Sequence, residues 1–327
     1  MNIGVVFDLR TEYLAQGFSE EEVAEFDSEA TINAIEDALC KLGHNVERIG
    51  NGRNLCKLLV GGKRWDLIFN IAEGLSGRSR EAQVPSILEL FDIPYTFSDP
   101  LTCAITLDKA LTKRIVSTGG IPTPEYKVVK NFQDIDNINL PFPLFAKPVA
   151  EGTGKGIDRD SRIESYEQLQ NVCTRLLKKY KQPVLIEKYL PGREFTVGII
   201  GTDKNARVIG SMEIKIKDKT TTGDYSFHAK EECEELVIYT PMEHGKLRKR
   251  VEEIALEAYK ILECRDAGRV DIRLDGNNEP YFLEINPLPG LHPTHSDLPM
   301  IATQEGMSYI ELIGSIINSA MERIKNL

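Results

Sequence analysis

The chain has few cysteines and no long apolar segment. Its six cysteines are scattered over 327 residues, without a Cys-x-x-Cys pair or a histidine spacing typical of zinc, so we expect reduced thiols. No apolar run reaches the roughly 18 residues that a membrane span needs, and residues 3–7 resemble a buried first strand rather than a signal peptide. These absences predict a cytoplasmic protein that does not cross a membrane.

Basic residues are outnumbered by acidic ones, 40 to 50. The formal net charge is -10, whereas a surface that follows the phosphates of a nucleic acid is normally basic. The Walker P-loop and the Rossmann Gly-x-Gly-x-x-Gly fingerprint are both missing. Small molecules, rather than nucleic acid, are therefore the expected partners.

The length and the order of apolar patterns predict several lobes. Strand-like segments at 3–7, 45–49 and 67–70 alternate with helical patterns, which predicts a parallel sheet in an N-terminal α/β domain over residues 1–100. Breaks near Ser98-Asp99-Pro100 and Pro191-Gly192 give a second domain at 101–191 and a third at 192–327. In these we expect helices at 109–117, 166–179 and 247–262, and a last helix after Tyr309. We expect strands at 126–129, 144–147, 184–188, 269–274 and 280–285, a long β stretch at 195–216, and an exposed mobile loop at 217–230.

Oxygen-bearing side chains recur near the end of the chain, at Asp271, Glu284 and Asn286. Because side chains alternate along a strand, Asp271 shares a face with Arg269, and Glu284 shares one with Asn286. Such ligands suit Mg²⁺, which takes few protein ligands and completes its shell with nucleotide phosphates. The alternative is a solvated strand pair with ordinary surface charges.

A glycine-rich stretch, Glu151-Gly152-Thr153-Gly154, follows a predicted strand that ends at Lys147. Glycines let the backbone approach phosphate oxygens and offer N–H donors, and a lysine at a strand end supplies a fixed positive charge. Taken alone, the stretch is equally consistent with a plain hairpin turn.

A third motif begins at the end of the strand predicted for 184–188. Glu187 and Lys188 are followed by Leu190 and Glu194, an order that suits an adenine edge and the ribose hydroxyls of a nucleotide. An edge strand with exposed charges is the alternative.

Together these segments resemble the D-alanine-D-alanine ligase family of the ATP-grasp superfamily. The resemblance covers most of the chain and rests on Leu88 to Tyr95, Asp108-Lys109, Val184 to Glu194, Arg269 to Asp271, Glu284 to Asn286 and Pro289-Gly290. It implies a parallel α/β pre-ATP-grasp domain followed by two ATP-grasp subdomains that sandwich ATP. It also suggests a homodimer through the N-terminal lobe.

The resemblance implies a role for each matching position. ATP would be bound by Lys109, Lys147, Glu151, Gly152, Thr153, Gly154, Glu187, Lys188, Leu190 and Glu194. Two Mg²⁺ ions, or Mn²⁺ in their place, would be held by Asp271, Glu284 and Asn286. Arg269 and the Gly290 amide would stabilise an oxyanion, Lys230 would meet the γ-phosphate, and Ser296 would hold the carboxylate of the second amino-acid or peptide substrate.

The motifs for the first substrate depart from the family pattern. Residues 7–12 replace a Gly-Gly turn and leave Glu12 and Glu29 as candidates for its lost acid, while residues 72–81 replace a His-Gly turn and a Glu-Asp-Gly segment. A substrate-side serine is replaced by Gly154, and a tyrosine by Glu231. The sequence therefore predicts retained nucleotide chemistry with altered recognition of the first substrate.

Arg78 and Arg80, with His292, are candidates for a new anion-binding group at that first substrate. The alternative is that the two arginines are surface residues at a helix start.

The implied activity is ligation of a carboxylate to an amine through an acyl-phosphate, with release of ADP and phosphate. A phosphotransferase that acts on a small molecule without ligation is the alternative, and a nucleotide-binding regulator without turnover is a third. Arg269 and Gly290 favour ligation, because a kinase needs no oxyanion site for a tetrahedral carbon. Closure of the loop at 217–230 would exclude water from the acyl-phosphate.

Overall fold

The computed structural model describes residues 1–216 and 237–325. Its N-terminal elements are β1 (Asn2–Val6), α1 (Arg10–Leu14), α2 (Glu29–Lys41), β2 (Asn45–Gly50), α3 (Gly52–Val60), β3 (Leu67–Asn70) and α4 (Gln83–Leu90). The strands form a parallel sheet in the order β2-β1-β3, as the alternation of patterns predicts. The loops that follow β1 and β3 leave the same edge of this sheet, which is where open α/β sheets bind ligands.

The middle of the chain contains α5 (Pro100–Leu107), α6 (Lys109–Thr118), β4 (Tyr126–Val129), β5 (Leu144–Pro148), β6 (Arg162–Ile163), α7 (Tyr166–Tyr180) and β7 (Val184–Lys188). Its strands form an antiparallel sheet in the order β4-β7-β5-β6, and α7 packs on it. Asp108 separates the two helices and caps α6 by accepting the Leu111 N–H at 3.0 Å. This cap places Lys109 in the first turn of α6.

The last segment contains β8 (Glu194–Ile200), β9 (Arg207–Ile216), β10 (Val237–Pro241), α8 (Lys246–Ile261), β11 (Ala267–Leu274), β12 (Pro280–Asn286), α9 (Asp297–Gln304) and α10 (Tyr309–Lys325). The strands form an antiparallel sheet in the order β10-β9-β8-β11-β12. Among the described residues, no helix is both long and apolar enough to span a membrane.

The long β stretch predicted at 195–216 divides into two strands. The chain reverses after β8, and β8 and β9 pair antiparallel. Gly201 makes the reversal possible, because its φ is +96° and a Cβ there would lie 2.4 Å from the Asn205 carbonyl oxygen. Residues 201–206 are Gly-Thr-Asp-Lys-Asn-Ala, so a glycine and polar residues mark the turn within the β stretch.

Each sheet lies within one of the three predicted domains, but packing crosses their boundaries. Leu312 and Ile316 of α10 are buried with Ile35 and Leu39 of α2 in the N-terminal core. Helix α6 contributes Val116 to the core beneath the five-stranded sheet. The domain boundaries therefore stay a prediction, and the two ends of the chain share one hydrophobic core.

Candidate functional site

The strand pair β11–β12 presents polar side chains on one face. Asp271 lies opposite Glu284, and Arg269 opposite Asn286, so all four share a face as the strand period predicts. Arg269 forms ion pairs with Asp271 and, at 3.2 Å, with Asp297 Oδ2. The carboxylates on this face therefore meet a guanidinium that holds them in place.

This face fits a magnesium site in its donor chemistry. Asp271 and Glu284 supply carboxylate oxygens and Asn286 an amide oxygen, while the Asn286 Nδ2 donor is buried without a hydrogen-bond partner among the described residues and would suit a phosphate oxygen. In that part of the chain, no group of three or more histidine, cysteine and acidic side chains is arranged to hold a metal by itself. Two carboxylates and an amide suit an ion that completes its shell with phosphates and water.

Three lysines converge on the acids of this site. Lys147 Nζ lies 3.3 Å from Glu187 Oε2 and 3.4 Å from Glu284 Oε2, and Lys109 Nζ lies 3.8 Å from the same Glu284 atom. Lys113 Nζ lies 2.6 Å from Glu187 Oε1. Burial favours the neutral amine of Lys147, but Glu187 and Glu284 outweigh it and raise its pKa. A fixed positive charge therefore stands beside the metal face.

The motif residues of β7 and β8 meet different surroundings. Glu187, expected at the adenosine, is buried between Lys113 and Lys147, and sequence reasoning gave Lys113 no role. The sequence feature that could have identified Lys113 is its position one helical turn after Lys109. Lys188 is exposed and Leu190 is buried, while Glu194 lies 3.4 Å from Arg273. Their roles stay predictions.

The glycine-rich loop is held against the N-terminal lobe by Glu25. The Gly152 N–H donates to Glu25 Oε1 at 2.7 Å, and a Cβ on Gly152 would lie 2.3 Å from that oxygen. Thr153 and Gly154 follow in left-handed conformation, with φ of +51° and +69°. Only a residue without a side chain lets this loop approach the carboxylate so closely.

Glu25, rather than Glu12 or Glu29, reaches the cavities from the N-terminal lobe. Neither candidate reaches the cavity, since Glu12 is exposed on α1 and Glu29 pairs with Arg48 on the surface. Glu25 instead accepts from Arg80 and Lys155, each at 3.0 Å. The loop after β1 is long enough to carry a later residue into the site, which no local pattern reveals.

The structure gives both candidate arginines a carboxylate partner. Arg78 is exposed and lies 2.7 Å from Asp108 Oδ2, whereas Arg80 is buried, pairs with Glu25 and donates to the Ala150 carbonyl at 2.8 Å. Both line a cavity of about 750 Å³ beside α6. Arg80 is therefore not a surface residue, and the anion-binding role of the pair stays a prediction.

Two smaller cavities adjoin at the glycine-rich loop. One of about 130 Å³ contains Lys109, Glu284 and Asn286, and one of about 440 Å³ contains Ser296 and His292. Both are lined by Glu25, Thr153, Arg269 and Gly290. The predicted oxyanion donors therefore lie where the two cavities meet.

The segment after β12 is packed closely around the serine. A Cβ on Gly290 would lie 2.8 Å from Ser296 Oγ, which accepts the His292 N–H at 3.0 Å. His292 faces His295 with ring centroids 4.5 Å apart, far from Arg78 in sequence and on a different cavity. Lys230 and the loop at 217–230 lie outside the described residues.

Comparison with known proteins reveals the same combination of elements. Residues 115–318 match the family described as D-ala D-ala ligase C-terminus. D-alanine–D-alanine ligases of Aquifex aeolicus and Bordetella avium are 35% and 31% identical, over 88% and 89% of this chain and 93% and 89% of theirs. The crystal structure of D-alanine–D-alanine ligase from Bacillus anthracis complexed with ATP has a TM-score of 0.75 at 26% identity, covering 100% of this chain and 99% of that one. VanG D-Ala:D-Ser ligase from Enterococcus faecalis shares the fold, with a TM-score of 0.75 at 21% identity over 98% of this chain and 99% of that one.

The three sheets and the residues between them define an ATP-grasp enzyme, an ATP-dependent ligase of carboxylates and amines. The family match spans more than half of the chain and the relatives align over nearly all of it. The chain belongs to the D-alanine–D-alanine ligase family.

Proposed function

We propose that the protein joins the carboxylate of one small amino acid to the amine of a second amino acid that keeps its own carboxylate free. The observation that carries the proposal is the 130 Å³ cavity, in which Lys109, Glu284 and Asn286 meet Arg269 and Gly290. This small cavity is lined both by residues suited to bind a nucleotide and by residues suited to stabilise an oxyanion. A kinase requires only the first set.

The proposal that the protein binds ATP is supported by the charged residues of the cavity. Lys109 and Lys147 supply positive charge for phosphate oxygens, and Glu151, Gly152 and Thr153 of the glycine-rich loop line the same cavity as Lys109. Asp271, Glu284 and Asn286 would hold Mg²⁺, which neutralises charge that develops on the transferred phosphoryl group. Glu187, Lys188, Leu190 and Glu194 are proposed to bind the adenosine.

The proposal that the protein joins two substrates is supported by hydrogen-bond donors that are already in place. The Arg269 guanidinium and the Gly290 N–H would stabilise the oxyanion that forms when the amine attacks the acyl-phosphate. Ser296 would hold the carboxylate of the attacking amino acid, since it lines the neighbouring cavity. Lys230 would meet the γ-phosphate, and the loop that carries it would exclude water.

The first substrate need not be D-alanine. The named relatives are ligases of D-alanine, but the Gly-Gly turn, the His-Gly turn, the serine and the tyrosine of the family pattern are replaced here. Each lost partner of a buried polar group costs a substrate about 1 to 3 kcal/mol. We expect D-alanine alone to support little ADP formation.

Assembly and location are part of the same proposal. We propose a cytoplasmic homodimer that associates through its N-terminal lobe. The family resemblance supports the dimer, and the scattered cysteines, five of them free in the described residues, support a reducing compartment. Light scattering of the purified protein tests the dimer, which a molecular mass near that of one chain would rule out.

The decisive experiment measures both products. Purified protein is given Mg-ATP with D- and L-amino acids and dipeptides, each alone and in pairs, and ADP and free phosphate are quantified separately. Ligation predicts equal amounts of ADP and free phosphate, with both amino acids required. ADP without free phosphate would instead establish a phosphotransferase.

A further inference from the structure

Two carboxylates of the 130 Å³ cavity have no hydrogen-bond or ion-pair partner among the described residues. Glu73 and Glu81 both line it, and Glu81 is only 8% exposed. Among the described residues, neither side chain forms a hydrogen bond or an ion pair. A buried carboxylate without a partner is unfavourable, so this pair indicates a missing cation.

The loop after β3 brings the two acids together. Gly74 has a φ of +74°, and a Cβ there would lie 2.7 Å from the Arg80 carbonyl oxygen, so residues 73–81 close on themselves. The Gly74 N–H is anchored to Asp8 Oδ2 at 2.9 Å. Burial, and then repulsion from Glu81, raise the pKa of Glu73 well above its usual range. The protein thus places two carboxyl groups so that the charge of one opposes ionisation of the other.

The described cations near the pair do not neutralise it, because they already have partners. Arg80 and Lys155 are matched by Glu25 and Glu151 in one cluster, two positive charges against two negative. Lys109 donates to the Glu151 carbonyl and lies 3.8 Å from Glu284. When Glu73 and Glu81 are ionised, their charge is therefore in excess.

Glu73 and Glu81 are distinct from Asp271, Glu284 and Asn286, the residues proposed to hold Mg²⁺, and they offer a further metal ion only two carboxylates. Among the described residues, no group of three or more acidic, histidine or cysteine side chains is arranged to hold one. An ammonium group of a substrate, by contrast, donates three hydrogen bonds, so it can bind carboxylates that are not arranged around one metal ion. The cavity also contains the oxyanion residues Arg269 and Gly290, so the acyl group of the donor would lie in it beside the nucleotide phosphates.

We propose that Glu73 and Glu81 form a cation subsite for the acyl donor, and that this donor is a small diamino acid. The inference rests on the proposed ligase function. The carboxylate of the donor would face Arg269 and Gly290, and its ammonium groups would face the two glutamates. The volume favours a short side chain, since the cavity measures about 130 Å³ against 440 Å³ for its neighbour. An acidic donor would meet repulsion instead.

Binding can be tested without turnover. The protein, with Mg²⁺ and a non-hydrolysable ATP analogue, is titrated calorimetrically with 2,3-diaminopropionate, alanine and aspartate, each as both enantiomers. We expect the preferred diaminopropionate enantiomer to bind at least about tenfold more tightly than alanine, equivalent to about 1.4 kcal/mol, and aspartate to bind most weakly. Alanine or aspartate binding as tightly as diaminopropionate would overturn the proposal.

Substitution of the two glutamates tests whether they cause the preference for diaminopropionate over alanine. The double variant Glu73→Gln with Glu81→Gln should bind diaminopropionate and alanine about equally, whereas Glu257→Gln, exposed on α8, should keep the preference. Because glutamine keeps the shape and removes an uncompensated charge, the melting temperature of the double variant should not fall. If the double variant keeps the preference for diaminopropionate, the subsite is wrong. If the melting temperature of the double variant falls, the single variants Glu73→Gln and Glu81→Gln are measured, and the subsite is wrong if neither of them loses the preference.

Product measurement separates this inference from the proposed function. If alanine is ligated as efficiently as diaminopropionate, with equal ADP and phosphate, the ligase stands and the subsite is wrong. If diaminopropionate binds selectively through the glutamates but is phosphorylated without ligation, the subsite stands and the ligase proposal fails.

Discussion

Lys113 Nζ and Glu187 Oε1 lie 2.6 Å apart in the interior, beneath the predicted nucleotide site. Lys113 is fully buried and Glu187 is 3% exposed, so neither charge is relieved by water. Burial lowers the pKa of Lys113 to about 8, against the opposing effect of Glu187. The pair therefore supports the position of Lys147, which shares the same glutamate.

Removing one member of this pair should destabilise the fold. Replacing Lys113 by Met leaves Glu187 with only Lys147, and breaking a buried pair costs about 3 to 5 kcal/mol. Because Lys147 remains 3.3 Å away, we expect about 3 kcal/mol by urea denaturation. Lys249→Met, which breaks an exposed pair on α8, should change stability by less than about 0.5 kcal/mol. Equal losses for both variants would show that the buried pair contributes nothing special.

Glu284→Gln should remove most turnover and leave the fold intact. The carboxylate is proposed to hold Mg²⁺, and even a lost partner of a metal ligand typically costs about 10- to 100-fold. We expect ADP formation to fall by at least about 100-fold, with an unchanged circular dichroism spectrum. Glu279→Gln, exposed in the turn before β12, is the matched control. Unchanged phosphate release by the Glu284 variant would rule out the metal assignment.

Mg-ATP should raise the melting temperature. A ligand that binds only the folded state stabilises it by about 2.7 kcal/mol when present at a hundredfold excess over its Kd. Differential scanning calorimetry with and without millimolar Mg-ATP measures this shift. EDTA should abolish most of it, if Asp271 and Glu284 hold the ion. An identical melting curve in all three conditions contradicts the nucleotide site.

Glu81 should make stability fall as pH rises. Burial is the largest cause that raises its pKa from 4.5 to about 7, opposed by Arg80 and Lys109 and reinforced by Glu25. The folded state therefore binds more protons than the unfolded state between these values, and its free energy of unfolding decreases as pH rises through that window. Each pKa unit corresponds to about 1.4 kcal/mol.

The comparison of wild type with Glu81→Gln isolates this effect. Both proteins keep Asp27, whose pKa burial raises to about 8 and which acts in the same direction. We expect the stability advantage of the variant to grow between about pH 5 and pH 8 in parallel urea titrations. A constant difference across that range would mean that Glu81 titrates at its ordinary pKa.

The sequence by itself determined the strand face of Arg269, Asp271, Glu284 and Asn286. A period of two depends only on the local backbone, so residue spacing suffices to place side chains on one side of a sheet. The same holds for Lys109, because the Asp108 cap that begins α6 is its immediate neighbour. Such features are encoded within a few residues.

Tertiary structure alone decided which acids reach the cavity. Glu25 rather than Glu12 or Glu29 meets the glycine-rich loop, because the path of a long loop depends on packing between distant segments. The unpartnered state of Glu73 and Glu81 likewise depends on Arg80 being taken by Glu25, a contact across 55 positions of sequence. Charge pairing of this kind is a property of the assembled fold, and it cannot be read from any local period.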